Sequence, residues 1–320
     1  MIKIIITGSH LTPAEALIEQ LPKNWQVYKL SSTAAPKFRR YDWWGSLWSG
    51  WRLPGLIWQF KNQLQLIKPA VVVSFGGYAS VPVVIAAKLL GLPIIIHEQT
   101  FRAGLASKIT GRLATVVAIS WKSSRRYFPS RKTVLTGNPL RRAILGVKRS
   151  VKPVIYICGG HQGSQVINQM VEPIIERFLT KFTVYHQYGQ LPRPAARRHY
   201  IVKPYFKVRE LARIYSQAEL IISRAGINTV TELGFLKLPA VLIPLPFTQK
   251  KEQDINARYL EKLGLAVVLS QNHLTPAALL TAIAQVKNLS RKRRGLGFPR
   301  RRVASAARSI FKLCLSLLQS

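Results

Sequence analysis

The stretch with the most chemical potential runs from Ile221 to Glu232 and reads Ile-Ile-Ser-Arg-Ala-Gly-Ile-Asn-Thr-Val-Thr-Glu. Its pattern predicts a short apolar strand, a tight turn at Gly226 and the first turn of a helix. The first N–H groups of a helix lack intrahelical partners and sit at the positive end of its dipole, so Gly226, Ile227, Asn228 and Thr229 offer donors to an anion or a polar heterocycle. Glu232 lies one turn further in, where a carboxylate can accept both hydroxyls of a ribose diol. An ordinary helix start explains the same letters, with Asn228 or Thr229 as the cap and Glu232 completing the capping arrangement. A second reactive group is His10. The strand Ile2–Thr7 runs into Gly8-Ser9-His10, which puts an imidazole at the carboxyl end of a first strand, where open parallel sheets bind ligands. A loop histidine bonded to the following helix start is the plainer alternative.

The elements that must hold these groups repeat one pattern. Val71–Phe75 is a continuous apolar run, as in a strand buried on both faces, and it empties into Gly76-Gly77-Tyr78-Ala-Ser80 before a helix over Pro82–Leu90. Ile94–Ile96 ends in His97-Glu98-Gln99, and Val116–Ser120 and Val134–Leu135 lead to Thr136-Gly-Asn-Pro-Leu-Arg141. After a polar linker the chain starts over. Val154–Cys158 ends in Gly159-Gly160-His161-Gln162-Gly163-Ser164 before a helix over Gln165–Phe178, and the strands Val184–Gln187 and Ile201–Val202 precede the Ile221 stretch. Ala240–Ile243 and a helix over Gln253–Leu263 follow. Repeated strand, turn and helix imply right-handed parallel crossovers, hence two successive doubly wound α/β halves with a cleft between them.

Composition narrows the partners. The 320 residues carry 48 Lys and Arg against 12 Asp and Glu, a formal net charge of +36, which argues for a polyanionic partner, nucleic acid or an anionic membrane surface. No acidic residue falls between Glu98 and Glu172, so a whole face should be positive. No helix-turn-helix, zinc-finger or RRM signature accompanies that charge, which speaks against nucleic acid. Trp43, Trp44, Trp48, Trp51 and Trp58 stand close together among Lys37, Arg39, Arg40 and Lys61, the pattern of an interfacial anchor with indoles at headgroup depth. Core filling between helices, with Trp58, Leu64 and Ile67 as one buried stripe, is the competing explanation. Cys158 and Cys314 have no partners at metal spacing and suggest a reducing cytosol, and neither a signal peptide nor a spanning helix is expected. The basic runs Arg291–Arg294 and Arg300–Arg302 precede an amphipathic helix over Val303–Leu318, suited to docking on the body or lying on a membrane.

In this order, Gly8-Ser-His-Leu-Thr-Pro, Gly76-Gly-Tyr-Ala-Ser, His97-Glu-Gln, Gly137-Asn-Pro-Leu-Arg, Gly159-Gly-His-Gln-Gly-Ser, Arg224-Ala-Gly-Ile-Asn-Thr-Val-Thr-Glu, Gln253 and Asn256-Ala resemble the MurG family, UDP-N-acetylglucosamine transferases that make lipid II of the bacterial cell wall. The match spans nearly the whole chain. It implies a GT-B glycosyltransferase of two Rossmann-like domains facing a cleft: residues 1–145 facing the acceptor and membrane, residues 146–290 holding UDP-N-acetylglucosamine, and residues 291–320 a basic segment and helix that can pack back on the first domain. The implied reaction is inverting and metal-independent, with no cofactor besides the donor substrate. By resemblance His10 is the base or its positioning partner, and Glu98 orients it or contacts the acceptor. Donor contacts would come from Thr7, Gly8, Ser9, Thr100, Arg141, His161, Gln162 and Gly163, from backbone around Phe206 at the uracil edge, and from Ile227, Asn228 and Thr229 at the phosphates. Glu232 would take the ribose, while Gln253 and Asn256 would read the sugar hydroxyls. Gly76, Gly77, Tyr78 and the tryptophans Trp43, Trp44, Trp48 and Trp51 would serve the acceptor and the membrane. The implied place is the cytoplasmic face of the cell membrane, peripherally bound.

The chain departs from the family pattern in three places. Thr7-Gly8-Ser9-His10 replaces a longer glycine run, Thr100 stands where Asn is usual, and His161 where a phosphate-contacting Ser is usual. These departures keep a different glycolipid acceptor in view, and a non-catalytic nucleotide-binding relative at a membrane is the reading from another class.

Overall fold

Short runs of β-branched residues, apolar on both sides, build the centre of the protein. The computed structural model describes residues 1–9, 11–31, 52–160, 162–195, 197–247, 251–292 and 297–319. The chain divides into two compact units, Met1–Arg141 with Arg301–Ser320, and Arg142–Arg300.

The first unit holds β1 (Ile2–Thr7), β2 (Trp25–Leu30), β3 (Val71–Ser74), β4 (Ile94–Glu98), β5 (Val116–Ile119) and β6 (Thr133–Leu135) in the order β2-β1-β3-β4-β5-β6. Every neighbouring pair is parallel. Because side chains alternate along a strand, these apolar runs feed two cores. Ile5, Val72, Ile94, Ile96, Val117 and Ile119 point to one face, against Phe60 and Leu64 of α2 (Arg52–Ile67) and Val83, Val84 and Ala87 of α3 (Val81–Leu89). Ile4, Ile6, Val71, Val73 and Ile95 point to the other, against Ala14 and Leu17 of α1 (Leu11–Ile18). That second face is completed from the far end of the chain. The last helix, Arg300–Leu318, buries Ile310 and Cys314 there, and Phe311 meets Trp25 edge to face at 5.4 Å. The amphipathic pattern of this helix thus serves docking on the first unit.

The second unit holds β7 (Val154–Cys158), β8 (Thr183–Gln187), β9 (Tyr200–Lys203), β10 (Ala218–Ser223), β11 (Ala240–Leu242) and β12 (Ala266–Val268), ordered β12-β11-β10-β7-β8-β9 and again parallel throughout. The strand β12 and the helix Pro276–Lys292 that covers it are additions to the elements expected from sequence. The helix expected over Gln165–Phe178 is instead Gln165–Val171, a tight turn over Glu172–Ile174, and Ile175–Leu179. Pro173 explains the break, since proline has no N–H to give and its ring crowds the preceding turn.

Both strand orders reverse direction once, between β1 and β3 and between β7 and β10. The carboxyl ends of such a pair diverge to opposite sides of the sheet and leave a crevice, the usual ligand position in open parallel sheets. The glycine-rich turns lie there: Gly8 and Gly76-Gly77 in one unit, Gly159–Gly163 and Gly226 in the other.

Candidate active site

In the second unit the crevice lies at the carboxyl ends of β7 and β10. After β10, Gly226 caps the helix Ile227–Leu236 with no side-chain hydrogen bond, so the capping role considered for Asn228, Thr229 and Glu232 is not the one this helix uses. Gly226 has an ordinary φ of −63° and a Cβ built there would meet nothing within 4 Å. Neither backbone strain nor packing within the chain asks for glycine at this position, and the backbone stands bare at the helix start. Val230 N–H makes the first helical bond, to Gly226 O, so the amides of Ile227, Asn228 and Thr229 precede the helical ladder.

Glu232 is buried one turn along, and Tyr215 of the helix Val208–Gln217 donates its hydroxyl to Glu232 Oε2 at 3.1 Å. Burial, and after it the neighbouring carboxylate, holds the Tyr215 phenol well above its usual range, so it stays a donor. The Asn256 side chain is buried and donates to Ala225 O at 3.0 Å, which fixes the turn ahead of the helix. Gln253 accepts from Leu245 N–H at 3.0 Å and so steadies the chain after β11.

The turn after β7 is cramped by contrast. Gly163 has a φ of +82°, and a Cβ there would fall 1.9 Å from Tyr188 O; a Cβ on Gly189 would fall 2.3 Å from the Gln162 backbone. The turn containing Gln162 and Gly163 therefore presses backbone to backbone on the end of β8. Ser164 caps the next helix by accepting from Ile167 N–H and also accepts from Arg224 Nη2 at 2.7 Å. Arg224 reaches on to Ile243 O at 3.1 Å, placing a buried cation behind the crevice. Phe206 is buried against Tyr156 and Tyr185, so its ring is core and its backbone is what the loop can present.

Tyr215 and Gln187 are the residues that sequence reasoning left out, and Arg224 stood in its motif without a role. Gln187 Oε1 accepts from Tyr156 hydroxyl at 3.2 Å and from Phe206 N–H at 3.3 Å, and its Nε2 donates to Gly160 O at 3.1 Å. All three act through contacts between distant segments, and no spacing along the chain announces them.

In the first unit Thr7 is buried at the end of β1, and Gly8, with φ +126°, lies so close to the β3 turn that a Cβ would stand 2.8 Å from Gly76 O. Ser9 N–H donates to Gly76 O at 3.1 Å, and a Cβ on Gly77 would strike Ser9 Oγ. The structure thus brings Thr7, Gly8, Ser9, Gly76 and Gly77 together, with Tyr78 opening the turn that follows. Glu98 is buried at the end of β4. Its Oε1 accepts from Thr100 N–H at 2.8 Å and from the Thr100 hydroxyl at 2.7 Å, and its Oε2 has no hydrogen-bond partner among the described residues. Thr100 therefore acts as a clamp on Glu98. Arg141 is buried at the end of this unit with its guanidinium 3.5 Å from Glu15. His97 is a structural link, its Nε2 lying 3.1 Å from Gly137 O and 3.2 Å from Ser120 Oγ.

On α2, Leu64 is buried, but Trp58 is 68% and Leu66 82% exposed, so Trp58 does not join the buried stripe that competes with the membrane reading. His10, His161, Trp43, Trp44, Trp48 and Trp51 lie outside the described residues. Among the described residues no helix is long and apolar enough to cross a membrane, and no three His, Cys, Asp or Glu side chains gather as a metal site.

Comparison with known proteins agrees with this architecture. The glycosyltransferase family 28 N-terminal domain matches residues 24–119 and the family 28 C-terminal domain matches residues 154–299. A UDP-N-acetylglucosamine–N-acetylmuramyl-(pentapeptide) pyrophosphoryl-undecaprenol N-acetylglucosamine transferase of Clostridium botulinum is 33% identical over 88% of this chain and 89% of its own. The Desulfotalea psychrophila protein of the same name is 30% identical over 98% and 95%. Among solved structures, Acinetobacter baumannii MurG superposes with a TM-score of 0.68 at 23% identity, covering 99% of this chain and 100% of that one. With both family 28 domains in order and relatives of this identity along most of its length, the chain belongs to the MurG family of GT-B glycosyltransferases.

Proposed function

We propose that this glycosyltransferase moves N-acetylglucosamine from UDP-N-acetylglucosamine to lipid I, undecaprenyl-diphosphate-linked N-acetylmuramoyl pentapeptide, forming lipid II. The observation that carries the donor half of this reading is the bare helix start at Gly226 followed one turn later by the buried, tyrosine-held carboxylate of Glu232. Backbone amides at the start of a helix suit a diphosphate. A buried carboxylate with its orientation set suits the two hydroxyls of a ribose, and the pair together suits a nucleoside diphosphate.

Inverting transfer needs three things: a base for the acceptor hydroxyl, in-line attack of that oxygen on the anomeric carbon, and stabilisation of the departing diphosphate. As its bond to the sugar breaks, UDP takes the electron pair. By family resemblance His10 is the base or its positioning partner. Glu98 supports that role, because Thr100 holds one carboxylate oxygen while the other has no partner among the described residues and suits an imidazole N–H or an acceptor hydroxyl. The backbone of Ile227, Asn228 and Thr229 and the fixed charge of Arg141 are the proposed stabilisers of the leaving group, so that transfer proceeds without a bound metal. The same reading gives Gln162, Gly163 and His161 to the phosphates and Gln253 to the sugar. The Asn256 bond to Ala225 supports a positioning part for that residue.

The acceptor is a lipid, and the proposed site of action is the cytoplasmic face of the membrane. Exposed Trp58 and Leu66 on α2 and the excess of basic residues support peripheral attachment to an anionic surface. Isotope-labelled donor incubated with a lipid I analogue tests the whole reading. Labelled lipid-linked disaccharide is the expected product, and its absence with UDP binding intact would turn the reading toward another acceptor.

A further inference from the structure

We propose that Gln187 is a positioning residue of the donor site, joining the loop that meets the nucleobase to the turn that meets the diphosphate so that the two are gripped as one unit. The inference rests on the donor reading above and names a residue outside the glycine turns. Gln187 closes β8 and is 5% exposed. Its three hydrogen bonds fix the orientation of the amide without ambiguity: Oε1 faces two donors, Tyr156 hydroxyl and Phe206 N–H, while Nε2 faces an acceptor, Gly160 O.

Two of those partners lie in different loops. Gly160, with φ +88° and open space where a Cβ would be, lies in the turn after β7; Phe206 lies in the loop after β9. The contact is reinforced on the next residues, where Tyr188 and Gly189 press on Gly163 and Gln162.

The Phe206 bond also shapes what a base meets. Phe206 N–H is given to Gln187, while Pro204 O and Lys207 O accept from Gly189 and Leu211 N–H, so what Phe206 has left for a base is its carbonyl. A carbonyl suits the imide N3–H of uracil and opposes the lone pair on N3 of cytosine. Holding Phe206 in place therefore holds the edge that separates uridine from cytidine, while holding Gly160 keeps the diphosphate in register with it.

The test is titration of the full chain with UDP and with CDP, before and after substitution, alongside thermal melting without nucleotide. The wild-type chain should prefer UDP. Gln187→Met, which removes all three bonds at similar length, should weaken UDP and lower the UDP-to-CDP preference by about tenfold. Gln187→Glu keeps an acceptor for Phe206 and Tyr156 but turns a second oxygen toward Gly160 O, so it should weaken both nucleotides and keep the preference within about twofold. An unchanged preference in Gln187→Met, with both nucleotides weakened equally, would mean a purely structural role and overturn the proposal. If Gln187→Met does not fold, Gln187→Glu carries the test, and loss of preference there overturns it equally. Failure of the wild-type chain to bind UDP is a distinct result, which would overturn the donor reading and this inference with it.

Discussion

The hydroxyl of Tyr215 and the carboxylate of Glu232 meet in the interior, where neither has water to fall back on, and the tyrosine stays protonated because burial opposes its charged form. A carboxylate so held has a set orientation. Glu232→Ala should weaken UDP by roughly ten- to hundredfold, the worth of one or two hydrogen bonds to a charged group. It should also abolish the preference for UDP over its 2′-deoxy analogue, since the group that reads the diol is gone. Tyr215→Phe leaves the carboxylate present but without the tyrosine hydroxyl, and about tenfold weaker UDP binding is expected with the ribose preference reduced rather than lost. Calorimetric titration with the two nucleotides checks both. A Glu232→Ala protein that still discriminates between them would place the ribose elsewhere.

Glycines that look alike in the sequence do different work in the elements that contain them. Gly163 is locked by a positive φ and by the Tyr188 carbonyl, so Gly163→Ala should cost roughly 1–3 kcal/mol or more of stability, read by thermal or denaturant unfolding. Gly226 has neither constraint. Gly226→Ala should leave stability within about 1 kcal/mol of the wild type yet weaken UDP, because the added methyl stands where a ligand must approach bare backbone. Unchanged UDP affinity in Gly226→Ala would argue against a phosphate at this helix start. The strand β8 brings a further consequence. His186 is fully buried between Tyr200 hydroxyl at 2.9 Å and Asn168 Oδ1 at 3.1 Å, and burial pushes its pKa down to about 3. The unfolded chain, with an ordinary value near 6.5, binds the proton first. Stability from neutral His186 is therefore complete above that value and falls as pH drops toward 3, by about 2 kcal/mol at pH 5. Denaturant unfolding between pH 7 and pH 4.5 should show that loss, and His186→Gln should flatten it. The glycine turns themselves were legible because each follows an apolar run and precedes a helical period. Their division of labour was not, since the φ of Gly226 and the Tyr188 carbonyl above Gly163 depend on tertiary approach. The same limit hid Gln187 and Tyr215, which act across segments far apart in sequence, and it left Trp58 assignable to core or surface until the face of α2 was known.

At the scale of the whole molecule the two doubly wound parallel sheets and the family membership were readable from the order of the motifs, while the strand β12 and its covering helix were too short or too weakly patterned to stand out. Charge is the other global property. With +36 and no acidic residue between Glu98 and Glu172, cations crowd one another; Lys108 and Arg126 both lie about 5 Å from the Tyr127 ring. An anionic surface relieves such repulsion, at about 1 kcal/mol per basic residue near it. Binding to vesicles containing anionic lipid should therefore be strong at low salt and fall as salt rises, and Trp58→Ala should weaken it at every salt concentration, as read by vesicle flotation. Equal binding to neutral vesicles would contradict the electrostatic part of this account. The central claim is the reaction, and the most direct measurement is transfer of labelled N-acetylglucosamine from its UDP donor to a lipid I analogue in anionic vesicles with a metal chelator present. The account predicts labelled lipid-linked disaccharide at a rate the chelator does not change, and loss of that product in Glu232→Ala. No transfer by a chain that binds UDP normally would contradict it.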